Sequence, residues 1–248
     1  RTNVLAVLCN NPYSAYWFDK VGGYSMSFTP DTVKVNCSVA KAYVGTKSYY
    51  VDVSKTALAK SAADNAKAIV SEAMGMPDLA KLDYYREQIC ALTDYNDDAL
   101  EPGTPYGDPW QMIYVFDGDP DTKVVCEGYS KAFQYLCDMT SFNNSSIYCY
   151  TVIGVMEGGT GAGGHMWNIV HLQNDLNYLV DITNVDEGTA GYRDSMLFLK
   201  GATSGTADTQ YIFTVKSGSV ISYEYDSEMR KLYTPGDLTL AMADSDIP

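Results

Sequence analysis

The stretch from Cys126 to Thr183 limits the fold more than any other part of the chain. A helical pattern over 126–138 is followed by three apolar segments, 147–156, 165–172 and 178–183, joined by short connections. Strands linked by a few residues pair antiparallel, because a parallel return needs a crossover of a dozen residues or more. Within the helical pattern Tyr129, Phe133, Leu136 and Cys137 follow Cys126 at the spacing of one helix face. This part of the chain is therefore expected to be a helix laid against an antiparallel sheet.

Upstream, residues 3–9, 24–28, 33–39 and 49–53 read as short strands separated by Gly, Pro, Asn and Asp. An Ala-rich helix is expected over 56–74 with Ser54 as its N-cap. A second helix runs from Asp78 to about Leu92, with Leu82, Tyr85, Ile89 and Leu92 as its buried stripe. Residues 93–109 read as a long surface loop, 110–116 as a short apolar segment and 117–121 as a turn. Further strands are expected at 195–199, 211–215 and 220–225. The whole pattern is α+β, with a β extension over 1–55 packed on a larger unit over 56–248.

Charge and apolar content exclude several classes of function. Seventeen basic against thirty-one acidic residues leave a formal charge of −14, and such a surface repels phosphate backbones and anionic lipid. Nucleic acid is not an expected partner. No apolar run approaches the ~20 residues of a membrane-spanning helix, so membrane insertion is not expected either. The sequence begins at Arg1 rather than Met, as expected of a processed or excised form whose export signal is not in this chain. Many Tyr, Ser, Thr and Asn with few Lys suit an exported protein.

The six cysteines (9, 37, 90, 126, 137 and 149) show no Cys-x-x-Cys spacing, and there are only two histidines. That layout argues against a zinc site, and a chain of this size does not need a disulfide framework. Most of these thiols read as small buried hydrophobes. Cys126 differs, because it heads its helix, where outward N–H groups and the macrodipole favour an anion and so a reactive thiolate. Gly128 keeps the first turn uncrowded. A core cysteine that merely starts a helix is the competing reading. Cys137, about 16 Å along the same face, is too far for a disulfide with Cys126 and reads as packing.

A thiolate nucleophile needs a proton acceptor, and the candidates are His165 and His171. His165 follows the Gly-rich loop 157–164, while His171 lies about 20 Å further along the same strand, so only one can face a given thiol. The acceptor in turn needs an orienting group on its other ring nitrogen. Asp181 stands in an otherwise apolar segment, Tyr178-Leu179-Val180-Asp181-Ile182, where a lone carboxylate is costly unless paired. A solvent-facing Asp is the alternative there.

Three blocks carry a resemblance: Val-Val-Cys-Glu-Gly-Tyr-Ser-Lys-Ala-Phe (124–133), Gly-His-Met-Trp-Asn-Ile-Val (164–170) and Tyr-Leu-Val-Asp-Ile-Thr (178–183). In order and spacing they resemble the cysteine, histidine and aspartate blocks of the transglutaminase-like core. The likeness covers about residues 78–185 and is to exported bacterial members, many of them multidomain surface proteins. It implies a papain-like fold with Cys126, His165 and Asp181 as the catalytic triad. It implies acyl transfer through a thioester on peptide or protein amides, by transamidation or hydrolysis, in a secreted or cell-surface protein. Asn184 departs from relatives that carry an aromatic residue there, a change expected at the pocket wall rather than in the triad.

Beyond the triad, the Cys126 N–H is one expected oxyanion donor, and Gln111 or Trp110 is a second donor or else a packing residue. Trp167 either lines the cleft near His165 or belongs to the core. Gly159-Thr-Gly161-Ala-Gly163-Gly164 superficially resembles a dinucleotide fingerprint, but it leads into a strand rather than a helix. Asp117-Gly-Asp119-Pro-Asp121 resembles a calcium loop yet has Thr122 at position 6 and Gly128 at position 12, so neither calcium nor any other cofactor is supported. The acids Asp94, Asp97 and Asp98 read as a solvated loop. A peptidase without crosslinking activity and a non-catalytic surface module that keeps the fold are the alternatives to a transamidase.

Overall fold

The computed structural model describes residues 11, 13–100, 111–158, 163–173, 176–186, 197–201, 204–206, 210–214 and 220–225. The expected strand at 3–9, Cys9, Trp110 and residues 159–162 of the Gly-rich loop lie outside the described residues, as do parts of the segments expected at 195–199 and 211–215.

The first unit is a β-hairpin, β1 (Tyr24–Thr29) and β2 (Thr32–Cys37), paired antiparallel from Tyr24↔Cys37 to Thr29↔Thr32 around the turn Pro30-Asp31. The strand expected at 49–53 is absent. Val51 makes only an isolated antiparallel bridge to Val44, and Val53–Lys55 is a turn of 3-10 helix. Asp52 supplies the reason: its Oδ1 accepts the Ser54 N–H at 3.0 Å and the Ser54 hydroxyl at 2.6 Å, which closes a turn and ends extension. Ser54 is consequently not the cap of the next helix; that position falls to Thr56, which makes no side-chain capping bond.

Helices α1 (Ala57–Glu72) and α2 (Asp78–Leu92) follow. Alanines 59, 62, 63 and 66 form the buried side of α1, their small side chains allowing close approach. Leu82, Tyr85 and Ile89 of α2 are fully buried, whereas Leu92 is only partly so. Residues 110–116, expected as a short apolar segment, contain a helix, α3 (Gln111–Val115). The segment 93–100 is less solvated than a surface loop. Tyr95 pairs with Val124 in a parallel bridge, and Asp97–Leu100 is a second 3-10 turn.

Helix α4 (Cys126–Met139) crosses the centre. A single buried face was expected, but nearly the whole first two and a half turns are buried, including Glu127, Ser130, Lys131 and Gln134. On one side lie α1, α2 and α3; on the other lie β3 (Tyr148–Glu157) and β4 (Gly163–His171). The rest of the sheet is β5 (Asn177–Val180), β6 (Phe198–Lys200), β7 (Ser204–Thr206), β8 (Gln210–Thr214) and β9 (Val220–Tyr225), separated from β5 by α5 (Ile182–Asp186). Among the described residues β3 to β9 form one sheet in the order β6-β5-β4-β3-β9-β8-β7, every pair antiparallel, and β1 and β2 stand apart from it as a two-stranded sheet. The protein is α+β, helices on one side of an antiparallel sheet.

Two glycines are demanded by close approach. A Cβ on Gly154 would lie 1.9 Å from the Glu224 carbonyl oxygen and 2.6 Å from the Trp167 ring, so only glycine lets β3 pair with β9 over that indole. A Cβ on Gly128 would lie 2.5 Å from Cβ of Val124, the crowding at the start of α4 that glycine relieves. No described helix is long and apolar enough to cross a membrane.

Candidate active site

The fold brings Cys126, His165 and Asp181 together. Cys126 is the first residue of α4, packed against β4, where His165 is the third residue. Asp181 was expected inside a strand reaching Thr183, but β5 stops at Val180. Its N–H donates to the Leu197 carbonyl at 2.8 Å, while its Oδ1 faces the Asn184 N–H at 3.4 Å. The latter is an N-cap arrangement, and it turns the chain from β5 into α5. The register Asn168↔Val180 then carries Asp181 back toward His165.

His165 Nε2 and Asp181 Oδ2 are 2.8 Å apart. The Cys126 side chain also acts on the imidazole, by a hydrogen bond and through its charge. All three residues are buried, at 2 %, 7 % and 1 % exposure. Burial by itself disfavours the imidazolium, but the Asp181 charge and hydrogen bond, aided by Cys126, push His165 up to about 10. Burial likewise opposes a charged Asp181, yet His165, Tyr223 and Asn184 together hold it below the usual carboxylate range. Attraction between sulfur and ring is mutual, so a negative sulfur and a protonated ring would stabilise each other here.

Three donors converge on Asp181 Oδ2: His165, the Asn184 side-chain amide at 2.6 Å and the Tyr223 hydroxyl at 2.7 Å. Asn184, expected at a pocket wall, is instead bonded to the triad carboxylate and lies 3.4 Å from His165 Nε2. Its position three residues after an Asp that opens a helix was the available signal. Tyr223 had none, because its contact depends on β9 pairing with β3.

Trp167 is fully buried and stacks on His165, with ring centroids 6.1 Å apart and planes 20° apart. It is core and site wall at once. His171 sits at the far end of β4, stacked on Tyr148 at 4.6 Å and bonded to Asn177 Oδ1 at 3.0 Å. Ser130 ties the nucleophile's helix to β4, its hydroxyl donating to the Cys126 carbonyl at 2.8 Å and the Met166 carbonyl at 2.9 Å. Gln111 opens α3, but its side chain, like all of Trp110, lies outside the described residues. Cys137 is a core side chain beside Cys149, whose thiol is pushed up well above its ordinary value, first by burial and then by Cys137.

Two carboxylates of the acidic turn at 117–121 bond its own backbone: Asp117 Oδ1 accepts the Asp119 N–H at 2.9 Å, and Asp119 Oδ1 accepts the Asp121 N–H at 3.0 Å. Among the described residues no three His, Cys, Asp or Glu side chains are grouped to hold a metal ion.

No family model matches the chain. Nor does any curated protein match it significantly.

Proposed function

We propose that this protein is a cysteine acyl-transfer enzyme of the transglutaminase-like type, acting on peptide or protein amides. The observation that carries the reading is the relay in which one buried imidazole is hydrogen-bonded to the Cys126 thiol and, through Nε2, to Asp181 at 2.8 Å. A nucleophile at a helix amino end, a base on the neighbouring strand and an orienting carboxylate just past the end of the next are the parts such chemistry needs. Their order, helix then antiparallel strands, supports a papain-like core.

The Cys126 thiolate attacks a carboxamide carbon, forming the S–C bond and moving the carbonyl π pair onto oxygen. At a helix start the first N–H groups point outward, which makes the Cys126 N–H a donor to that oxyanion. Imidazolium at His165 then gives its proton to the departing amine as the C–N bond breaks, leaving a thioester. A primary amine or water attacks the thioester, passes its proton to His165 and returns the thiolate. Asp181, held ionised by its three donors, keeps the ring oriented throughout both halves.

Iodoacetamide labelling of the intact chain, read by mass spectrometry, tests the nucleophile. Cys126 is expected to label much faster than a free thiol at neutral pH, and labelling no faster ends the proposal. A glutamine peptide with a fluorescent primary amine tests the reaction. Incorporation of the amine, abolished in Cys126→Ala, is expected; peptide turnover without incorporation would instead support a hydrolase.

A further inference from the structure

A second buried ionic group stands beside the triad. Glu127 directly follows the nucleophile, and both Glu127 and Lys131 are 2 % exposed. Lys131 Nζ donates to Glu127 Oε1 at 2.6 Å. Lys20 reaches the same carboxylate from the N-terminal segment, donating to Oε1 at 2.6 Å and Oε2 at 2.5 Å, with a third of its own side chain exposed. Burial would push Glu127 up, but Lys131 and then Lys20 hold it below its ordinary value.

One ammonium already neutralises one carboxylate, and a buried ion pair is a costly way to gain stability. The second lysine leaves the cluster with one positive charge in excess. In its reactive form the triad is one thiolate, one imidazolium and one carboxylate, a net −1 in buried surroundings. Lys20, Glu127 and Lys131 sum to +1. Without Lys20 the cluster would be neutral, and the extra negative charge at the head of α4 would be offset only by the helix end.

We propose that Lys20 is a positioning residue acting through Glu127: it supplies the countercharge for the reactive ion pair and makes Cys126 reactivity depend on the seating of the N-terminal segment. The inference rests on Cys126 being the thiolate nucleophile. The segment is built to seat. Tyr13 stacks on Tyr135 of α4 with centroids 5.3 Å apart, and the Asp19 N–H donates to the Ser38 carbonyl at 3.0 Å. Residues 13–20 thus run along α4 from Tyr135 back to Glu127.

The test is the pH dependence of Cys126 alkylation in the intact chain, for wild type, Lys20→Met and Lys20→Arg. The charged and titratable groups around the pair are Glu127 and Lys131 on α4, His165 on β4, Asp181 at the start of α5, Tyr223 on β9 and Lys20 itself. Lys20→Met is expected to move the midpoint of Cys126 alkylation upward by about half to one pH unit, the three- to tenfold rise in proton affinity that loss of one nearby unit charge implies. Lys20→Arg is expected to restore most of the midpoint. An unchanged midpoint in Lys20→Met, whatever happens to its melting temperature, overturns the proposal. So does Lys20→Arg behaving like Lys20→Met, because a staple without an electrostatic role would give either result. A wild-type Cys126 no more reactive than a free thiol overturns the underlying functional reading instead, and this inference with it.

Discussion

Replacing Tyr223 by Phe removes one oxygen from the site and nothing else. Its hydroxyl donates to Asp181 Oδ2 at 2.7 Å, and the residue is fully buried, so the lost bond is not replaced by water at the surface. Hydrogen bonds to charged groups contribute ~1.5–3 kcal/mol. Two other donors remain on the same oxygen, His165 and Asn184, which puts the loss at the lower end, ~1.5 kcal/mol. The ring volume is retained, so no cavity adds to this figure. For a chain of this size that corresponds to a fall of about 3–6 °C in melting temperature. Urea unfolding at pH 7 should show the loss with unchanged m. The sign with pH is also fixed. Asp181 is lowered in the folded state, so its contribution is present above the unfolded carboxylate value near 3.9 and is lost as pH falls through the folded one. Tyr223→Phe weakens that contribution, so the variant should unfold at a higher pH on acid titration. A loss below ~0.5 kcal/mol at pH 7, with wild-type acid unfolding, would refute the three-donor account of Asp181.

Because His165 is raised to about 10, its contribution to stability is complete below the unfolded value near 6.5 and disappears as pH rises through about 10; the wild-type melting temperature should decline across that window, and His165→Gln should flatten the decline. Gly154→Ala should cost about 3 kcal/mol or more, because the added methyl meets backbone oxygen at 1.9 Å and the Trp167 ring at 2.6 Å; a variant that melts within 2 °C of wild type would show that β3 and β9 can move apart freely. Brief alkylation of the native chain should mark Cys126 and leave Cys137 and Cys149 untouched until unfolding, since burial keeps Cys149 a thiol; peptide mapping before and after urea measures this.

Much of the site was legible before any coordinates. The 3.6-residue recurrence after Cys126, the short connections and the single odd carboxylate in an apolar segment all report local patterns, and local patterns survive in one dimension. The strand assigned to 49–53 and the helix missed at 111–115 show the limit of this. Alternating aromatic and β-branched residues extend only where a partner strand exists, and a five-residue apolar run does not distinguish helix from strand. Asp181 fell to the same ambiguity: Tyr-Leu-Val-Asp-Ile-Thr reads as continuous strand, and only the cap to Asn184 turns it into α5.

What the amino-acid order determined alone was the class of the fold, the antiparallel pairing of the strands after the central helix, and which side chains were chemically worth watching. What the tertiary structure decided was the company each of them keeps. Tyr223 reaches Asp181 across forty-two positions, and Lys20 reaches Glu127 across one hundred and seven. No periodicity connects residues at such separations. They meet because burial of the apolar faces draws their elements together, and a charge enclosed in that way must then find its partners among whatever side chains arrive with it.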